Sequence, residues 1–253
     1  MKLGLNLYSI RKFLQSEADM KETFQKLHDI GYEVVQLSGA APLPAETVKA
    51  ISEETNLPIV CTHSPIKRIL EDTDALIRDH QTYGCNVIGL GSLPTNYRKT
   101  ESALRDILAQ LREPVKKINA AGMHFAYHNH NFEFDKLEDT GRRIYDIMLE
   151  ECTDWQFILD TYWVMYGGDD VIETMRRVGK GRLTNVHFKD MSKDESREIC
   201  SCGSGRLDFA SFLPICRELG TENILVEQDN ANDKGNPFGE VENSFKHLRP
   251  IVK

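Results

Sequence analysis

Short apolar runs recur along the chain, each followed by a polar stretch and then by a segment whose apolar positions return every three or four residues. Eight of these runs read as strands: KLGLNLYS, YEVVQLSG, LPIVCTHS, CNVIGLGS, MHFAYHNH, WQFILDTY, LTNVHFKD and ENILVEQD. Between them, DMKETFQKLHDIG puts Met20, Phe24, Leu27 and Ile30 on one helical face and stops at Gly31. SALRDILAQLREPVKKINAAG does the same with Leu104, Ile107, Leu108 and Leu111, and Pro114 inside it predicts a kink or a division. DALIRDHQTYG ends at Gly84, and DFASFLPICRELG runs from an N-capping Asp208 to Gly220.

Continuous apolar strands alternating with amphipathic helices imply a parallel sheet covered by helices. Eight such units predict an α/β fold of (β/α)8 TIM-barrel type rather than an open doubly wound sheet. No glycine-rich dinucleotide fingerprint follows the first strand, LNLYSIRK. No linker or low-complexity stretch interrupts the pattern, so residues 1–253 are expected to form a single domain.

Composition narrows the class. The chain is 40% hydrophobic and 28% charged, as expected of a globular protein with a large core. Its net charge of −8 repels phosphate backbones and argues against a nucleic-acid partner. The six cysteines show no disulfide rhythm, and the one close pair, Cys200 and Cys202, lacks the companions of a structural zinc site, so reduced thiols are expected. The opening MKLGLNLYSI reads as a strand rather than a secretion signal, and no apolar run approaches the roughly 18 residues of a membrane helix. A cytoplasmic location without a membrane partner is expected.

Barrel chemistry sits at the carboxyl ends of the strands. There the chain offers Asn6, Tyr8 and Arg11 after the first strand, Gln36 and Ser38 after the second, and His63 after the third. Gly91 and Ser92 follow the fourth, His128, His130 and Glu133 the fifth, and Asp160, Tyr162 and Trp163 the sixth. The seventh ends at His187, Lys189 and Asp190, and the eighth at Glu227, Gln228 and Asp229. Four adjacent strands thus supply Glu or His, Asp, His and Glu, a mixed oxygen and nitrogen set suited to Mn²⁺, Mg²⁺, Co²⁺ or Zn²⁺. Two sugar oxygens completing such a centre would let the metal stabilise an enediolate. Asp160 in ILDTYW also suits a helix N-cap, and His63 also suits a turn before Pro65. Glu227 is harder to place structurally, because a carboxylate ending an apolar strand is costly unless paired or ligating.

The motifs YHNHNFEF, LDTYW, VHFKD, GSGRLDF and ILVEQD, in this order, resemble the xylose isomerase-like TIM barrels of the sugar phosphate isomerase/epimerase superfamily. The resemblance implies Asp160, His187 and Glu227 as metal ligands. The fourth ligand of that family is usually a glutamate at the end of the fifth strand, where this chain reads AYHNH and His128 takes the aligned place. Either His128 ligates, with Glu133 nearby, or Glu133 turns inward as the ligand and frees His128 and His130 for acid–base work near neutral pH. The second arrangement is the expectation adopted, with Glu227 and Lys189 completing the catalytic set. Tyr8, His63, Trp163 and Arg206 are expected to bind substrate, the first and third by stacking on a sugar face, and Gly203 and Gly205 to let backbone approach a ligand.

The implied activity is a divalent-metal-dependent isomerase or epimerase of a keto sugar or polyol, with a small carbohydrate as its partner. A dehydratase or lyase of the inosose or 3-keto-glycoside type is the alternative. An abasic-site endonuclease and a silent sugar-binding barrel fit less well. Relatives are often dimers or tetramers, which makes a homo-oligomer compatible with the resemblance.

Overall fold

The computed structural model describes residues 1–252. All eight expected strands form: β1 (Lys2–Asn6), β2 (Val34–Leu37), β3 (Ile59–Thr62), β4 (Val87–Leu90), β5 (His124–His128), β6 (Gln156–Asp160), β7 (Asn185–Phe188) and β8 (Asn223–Val226). Every paired neighbour is parallel, in the order β3-β2-β1-β8-β7-β6-β5-β4. Helices between successive strands cover the outside, giving the (β/α)8 barrel that the pattern predicted.

The ring closes between β3 and β4, where Ser64 N–H donates to Gly89 O at 2.7 Å. A Cβ on Gly89 would stand 2.1 Å from Thr62 O, so only glycine lets the two backbones approach this closely. Side chains two residues apart share a face of a strand. Cys61, Val87, Ala126 and Ile158 form a separate buried apolar layer, and two positions further along the same faces come His63, Gly89, His128 and Asp160. The polar layer therefore lies directly above an apolar floor.

The helices follow their caps. Ser16 Oγ accepts from Asp19 N–H to start α1 (Glu17–Ile30), and Asp208 starts α9 (Phe209–Leu219) by accepting from Ser211 N–H. Their ends at Gly31 and Gly220 are left-handed. Pro114 does not divide α5 (Glu101–Ala120), which is one helix. Leu111, Pro114, Val115 and Ile118 are buried along it, and this packing offsets the missing backbone hydrogen bond. After β7 a two-stranded antiparallel hairpin, Asp190–Met191 with Ile199–Cys200, leads into the glycine-containing loop. All six cysteines are free. Among the described residues no helix is long and apolar enough to cross a membrane.

Candidate metal centre and ligand cavity

Four buried side chains from β5 to β8 and its end meet above the apolar floor: His128, Asp160, His187 and Glu227 each bring one ligand atom, all within 4.8 Å of one another. His187 Nδ1 lies 3.0 Å from Glu227 Oε2 and 3.8 Å from Asp160 Oδ2. His128 Nε2 lies 3.5 Å from Asp160 Oδ2 and 3.7 Å from Glu227 Oε2.

The other heteroatom of each side chain is already engaged. His128 Nδ1 meets Gly91 O at 3.0 Å, and His187 Nε2 meets Gln36 Oε1 at 2.5 Å. Because a carbonyl oxygen can only accept, each contact places a proton on that nitrogen and leaves the other to face the centre. Asp160 Oδ1 accepts from Trp163 N–H at 3.0 Å, so Asp160 is also the N-cap of the short helix α7 (Thr161–Tyr166). Glu227 Oε1 accepts from Asn6 Nδ2 at 2.6 Å. Four atoms, two imidazole nitrogens and two carboxylate oxygens, are thereby aimed at one point. This donor set and its buried setting fit a divalent metal.

Glu133 is not brought to this group, contrary to the arrangement expected from the sequence. It is fully buried, but Oε1 accepts from the Tyr127 hydroxyl at 2.5 Å and Oε2 from His130 N–H at 2.7 Å. A 3₁₀ turn at Phe132–Phe134 folds its side chain back under the loop. Burial pushes its carboxyl up to about 7, against the pull of those two hydrogen bonds. His128 occupies the strand-5 place instead.

Lys189 is 1% exposed, and its ammonium lies 2.7 Å from Asp229 Oδ2, 3.2 Å from Glu227 Oε2 and 3.4 Å from Asp160 Oδ2. Burial opposes its charge, yet Asp160, Glu227 and Asp229 raise its pKa and keep it an ammonium. Burial likewise opposes the charge on Glu227, which Lys189 and His187 nevertheless hold well below the usual carboxylate range. On His187 the carboxylates of Glu227 and Asp160 outweigh burial and push it up to about 9. His130 goes the other way, lowered to about 3 by burial and then by His128, so it is neutral near pH 7.

A cavity of about 510 Å³ opens over the centre, walled by Tyr8, Arg11, His63, His128, His130, Lys189, Glu227 and Asp229 among others. His63 Nε2 and His130 Nδ1 are buried without a partner, and His63 Nδ1 is held by Ser38 Oγ at 3.1 Å. Tyr8 stands at the rim, 37% exposed, beneath the Arg11 guanidinium at 4.1 Å. Two of the residues expected to bind substrate lie outside the cavity lining. Trp163 is not among the residues lining the cavity; its ring packs 5.4 Å from His130 and lies under the Lys189 ammonium at 4.9 Å. Arg206 is exposed and points away, donating to Ser192 O and Asp194 O, both at 2.7 Å. Asn6, Gln36 and Asp229 went unassigned in the sequence, where neutral amides and a loop carboxylate carry no signal beyond their place at strand ends.

Comparison with known proteins agrees with this architecture. No curated protein is significantly similar. A sugar phosphate isomerase/epimerase from Parabacteroides distasonis superposes with a TM-score of 0.83 at 23% identity, covering 100% of both chains. The probable 3-DHS dehydratase AsbF from Bacillus anthracis gives 0.74 at 13% identity over 98% of this chain and 99% of its own. A D-psicose 3-epimerase gives 0.70 at 11% identity over 100% and 99%. At these identities the likeness establishes the fold. Residues 24–251 match the model of the xylose isomerase-like TIM barrel family, and the chain belongs to that family.

Proposed function

We propose that this protein is a divalent-metal-dependent isomerase or epimerase that removes a proton next to the carbonyl of a keto sugar or polyol. The observation that carries this reading is the commitment of each second heteroatom in the group His128, Asp160, His187 and Glu227, which leaves two imidazole nitrogens and two carboxylate oxygens converging. A metal bound there would supply Lewis-acid polarisation of a carbonyl and its neighbouring hydroxyl. Lys189, held by three carboxylates, places a fixed positive charge beside the carbon that becomes electron-rich. Neutral His130 and His63 offer unpartnered nitrogens that can orient substrate hydroxyls. We assign Glu227 as the carboxylate that takes the proton. The neighbours named as an isomerase/epimerase and an epimerase support this class of chemistry.

A second reading is elimination, as in a dehydratase or lyase. It is favoured by His128 standing where the resemblance leads one to expect a glutamate, which removes one member of a symmetrical carboxylate pair and suits one-sided proton transfer. One of the structural neighbours is named as a probable dehydratase.

Metal analysis of the purified protein, followed by a keto-sugar screen in D₂O, tests both. Deuterium incorporation without loss of water supports the first reading, and loss of water or of a leaving group supports the second. Exchange that proceeds undiminished after chelation would sink the metal-dependent reading.

A further inference from the structure

Phe132 follows His130 by two residues, and its ring lies nearly parallel to the imidazole, at 17° with the centroids 5.6 Å apart. The Arg98 guanidinium lies over the Phe132 ring, 3.8 Å from its centroid. Arg98 comes from the loop after β4 and is itself pinned there. Its Nε donates to Leu93 O at 2.8 Å, and Nη2 donates to the same oxygen and, at 3.0 Å, to Ser92 Oγ. Neither Arg98 nor Phe132 lines the cavity, whereas Ser92 and His130 both do.

A second route joins the same two loops. Leu93 N–H donates to the Tyr127 hydroxyl at 3.3 Å, that hydroxyl donates to Glu133 Oε1 at 2.5 Å, and Glu133 Oε2 accepts from His130 N–H at 2.7 Å. This route fixes the backbone of His130 but not the two torsions of its side chain. Nδ1 of the imidazole is buried without a hydrogen-bond partner, so no bond at that atom holds the ring either. The plane of the ring is set by packing, against Phe132, Trp163 at 5.4 Å and His128 at 4.8 Å. A parallel neighbour restricts rotation of the imidazole only as far as that neighbour is itself held, and Arg98 holds Phe132. Arginine suits the task because its planar fork grips the β4 loop while its face stacks on an aromatic ring. A lysine ammonium cannot do both.

We propose that Arg98 and Phe132 are positioning residues for the cavity. Phe132 holds the plane of the His130 ring so that its free nitrogen is aimed before substrate arrives, and Arg98 locks Phe132 to the β4 loop while fixing Ser92 on the adjoining wall. This rests on the reading above that His130 orients a substrate hydroxyl.

The test is a double-mutant cycle on kcat/KM for solvent deuterium exchange into D-fructose by the Mn²⁺-loaded protein. Phe132→Leu and Arg98→Lys should each lower kcat/KM by about tenfold, as misplaced binding groups do. Phe132→Tyr, which keeps the ring, should restore it, and Mn²⁺ affinity should stay at the parent value in all three. In a His130→Gln background, Phe132→Leu should cost nothing further, because the group it positions is gone. Losses that multiply in the double variant, or a Phe132→Tyr as impaired as Phe132→Leu, would overturn the proposal. Exchange by His130→Gln equal to the parent's sinks the reading on which it rests. Where D-fructose does not exchange at all, the ring itself decides. In protein carrying ¹³C-histidine, the His130 Cε1–H resonance, assigned by its absence from His130→Gln, should shift and broaden in Phe132→Leu, broaden in Arg98→Lys and keep its place in Phe132→Tyr. A resonance unmoved in Phe132→Leu and as sharp as the parent's in Arg98→Lys shows that the stack positions nothing.

Discussion

Asn6 Nδ2 lies 2.6 Å from Glu227 Oε1, joining residues 221 positions apart in the chain, and this contact decides which carboxylate oxygen of Glu227 faces the centre. Removing such an orienting partner typically costs a metal site 10- to 100-fold in affinity. Asn6→Ala is therefore expected to weaken Mn²⁺ and Zn²⁺ binding by about that factor while leaving the circular dichroism spectrum unchanged. Titration calorimetry measures it, and an unaltered dissociation constant would show that Glu227 needs no such guide.

Substitutions in β5 and its loop separate the two arrangements considered for the fifth strand. His128→Ala removes a converging nitrogen and should lower metal occupancy together with activity. Glu133→Gln should leave metal stoichiometry intact, because both Glu133 oxygens are engaged by Tyr127 and His130. Activity should still fall, since the carboxylate holds the loop that carries His130. Metal content per protein, read by elemental analysis, would point back to Glu133 as the ligand if the two variants behaved the opposite way round.

Closure of the barrel between β3 and β4 depends on Gly89. A methyl group there collides with backbone at Thr62 O, 2.1 Å away, and cannot be relieved by a side-chain rotation. Gly89→Ala should cost about 3 kcal/mol. The measurement is a lowered urea midpoint with an unchanged slope; a midpoint equal to that of the parent protein would contradict the tight seam.

His80 gives the fold an acid-sensitive point outside the cavity. It is 1% exposed, with Nδ1 2.8 Å from Leu76 O and Nε2 2.9 Å from Thr62 Oγ1. Burial lowers its pKa from an ordinary 6.5 to about 4. Above pH 6.5 both folded and unfolded chains hold it neutral, so its contribution is fully present there. As pH falls from 6.5 to about 4 the unfolded chain takes up a proton that the folded chain refuses, and stability declines by on the order of 3 kcal/mol. His80→Gln should flatten that part of the stability–pH curve measured by urea unfolding. A slope as steep as the parent's would assign the acid sensitivity elsewhere.

Much of this molecule was legible in the order of its residues. Apolar runs and the three-to-four spacing of Met20, Phe24 and Leu27 report backbone periods that each segment adopts locally, so strands, helices and barrel followed from them. Asp160, His187 and Glu227 were visible because charged or ionisable groups at the ends of apolar strands are costly without partners. Other features depend on contacts between distant segments. His128 and Glu133 lie five residues apart in one motif, and only the Phe132–Phe134 turn and the Tyr127 hydroxyl settle which of them faces the centre. Gln36 and Asn6 orient His187 and Glu227 from strands far away in the chain. Asp190 accepts from the N–H groups of Gly203, Gly205 and Leu207, so a loop that looked ready for a ligand is already filled. Local periodicity determined where the backbone runs, whereas the direction of each polar atom was decided across the barrel, where buried donors and acceptors must find one another.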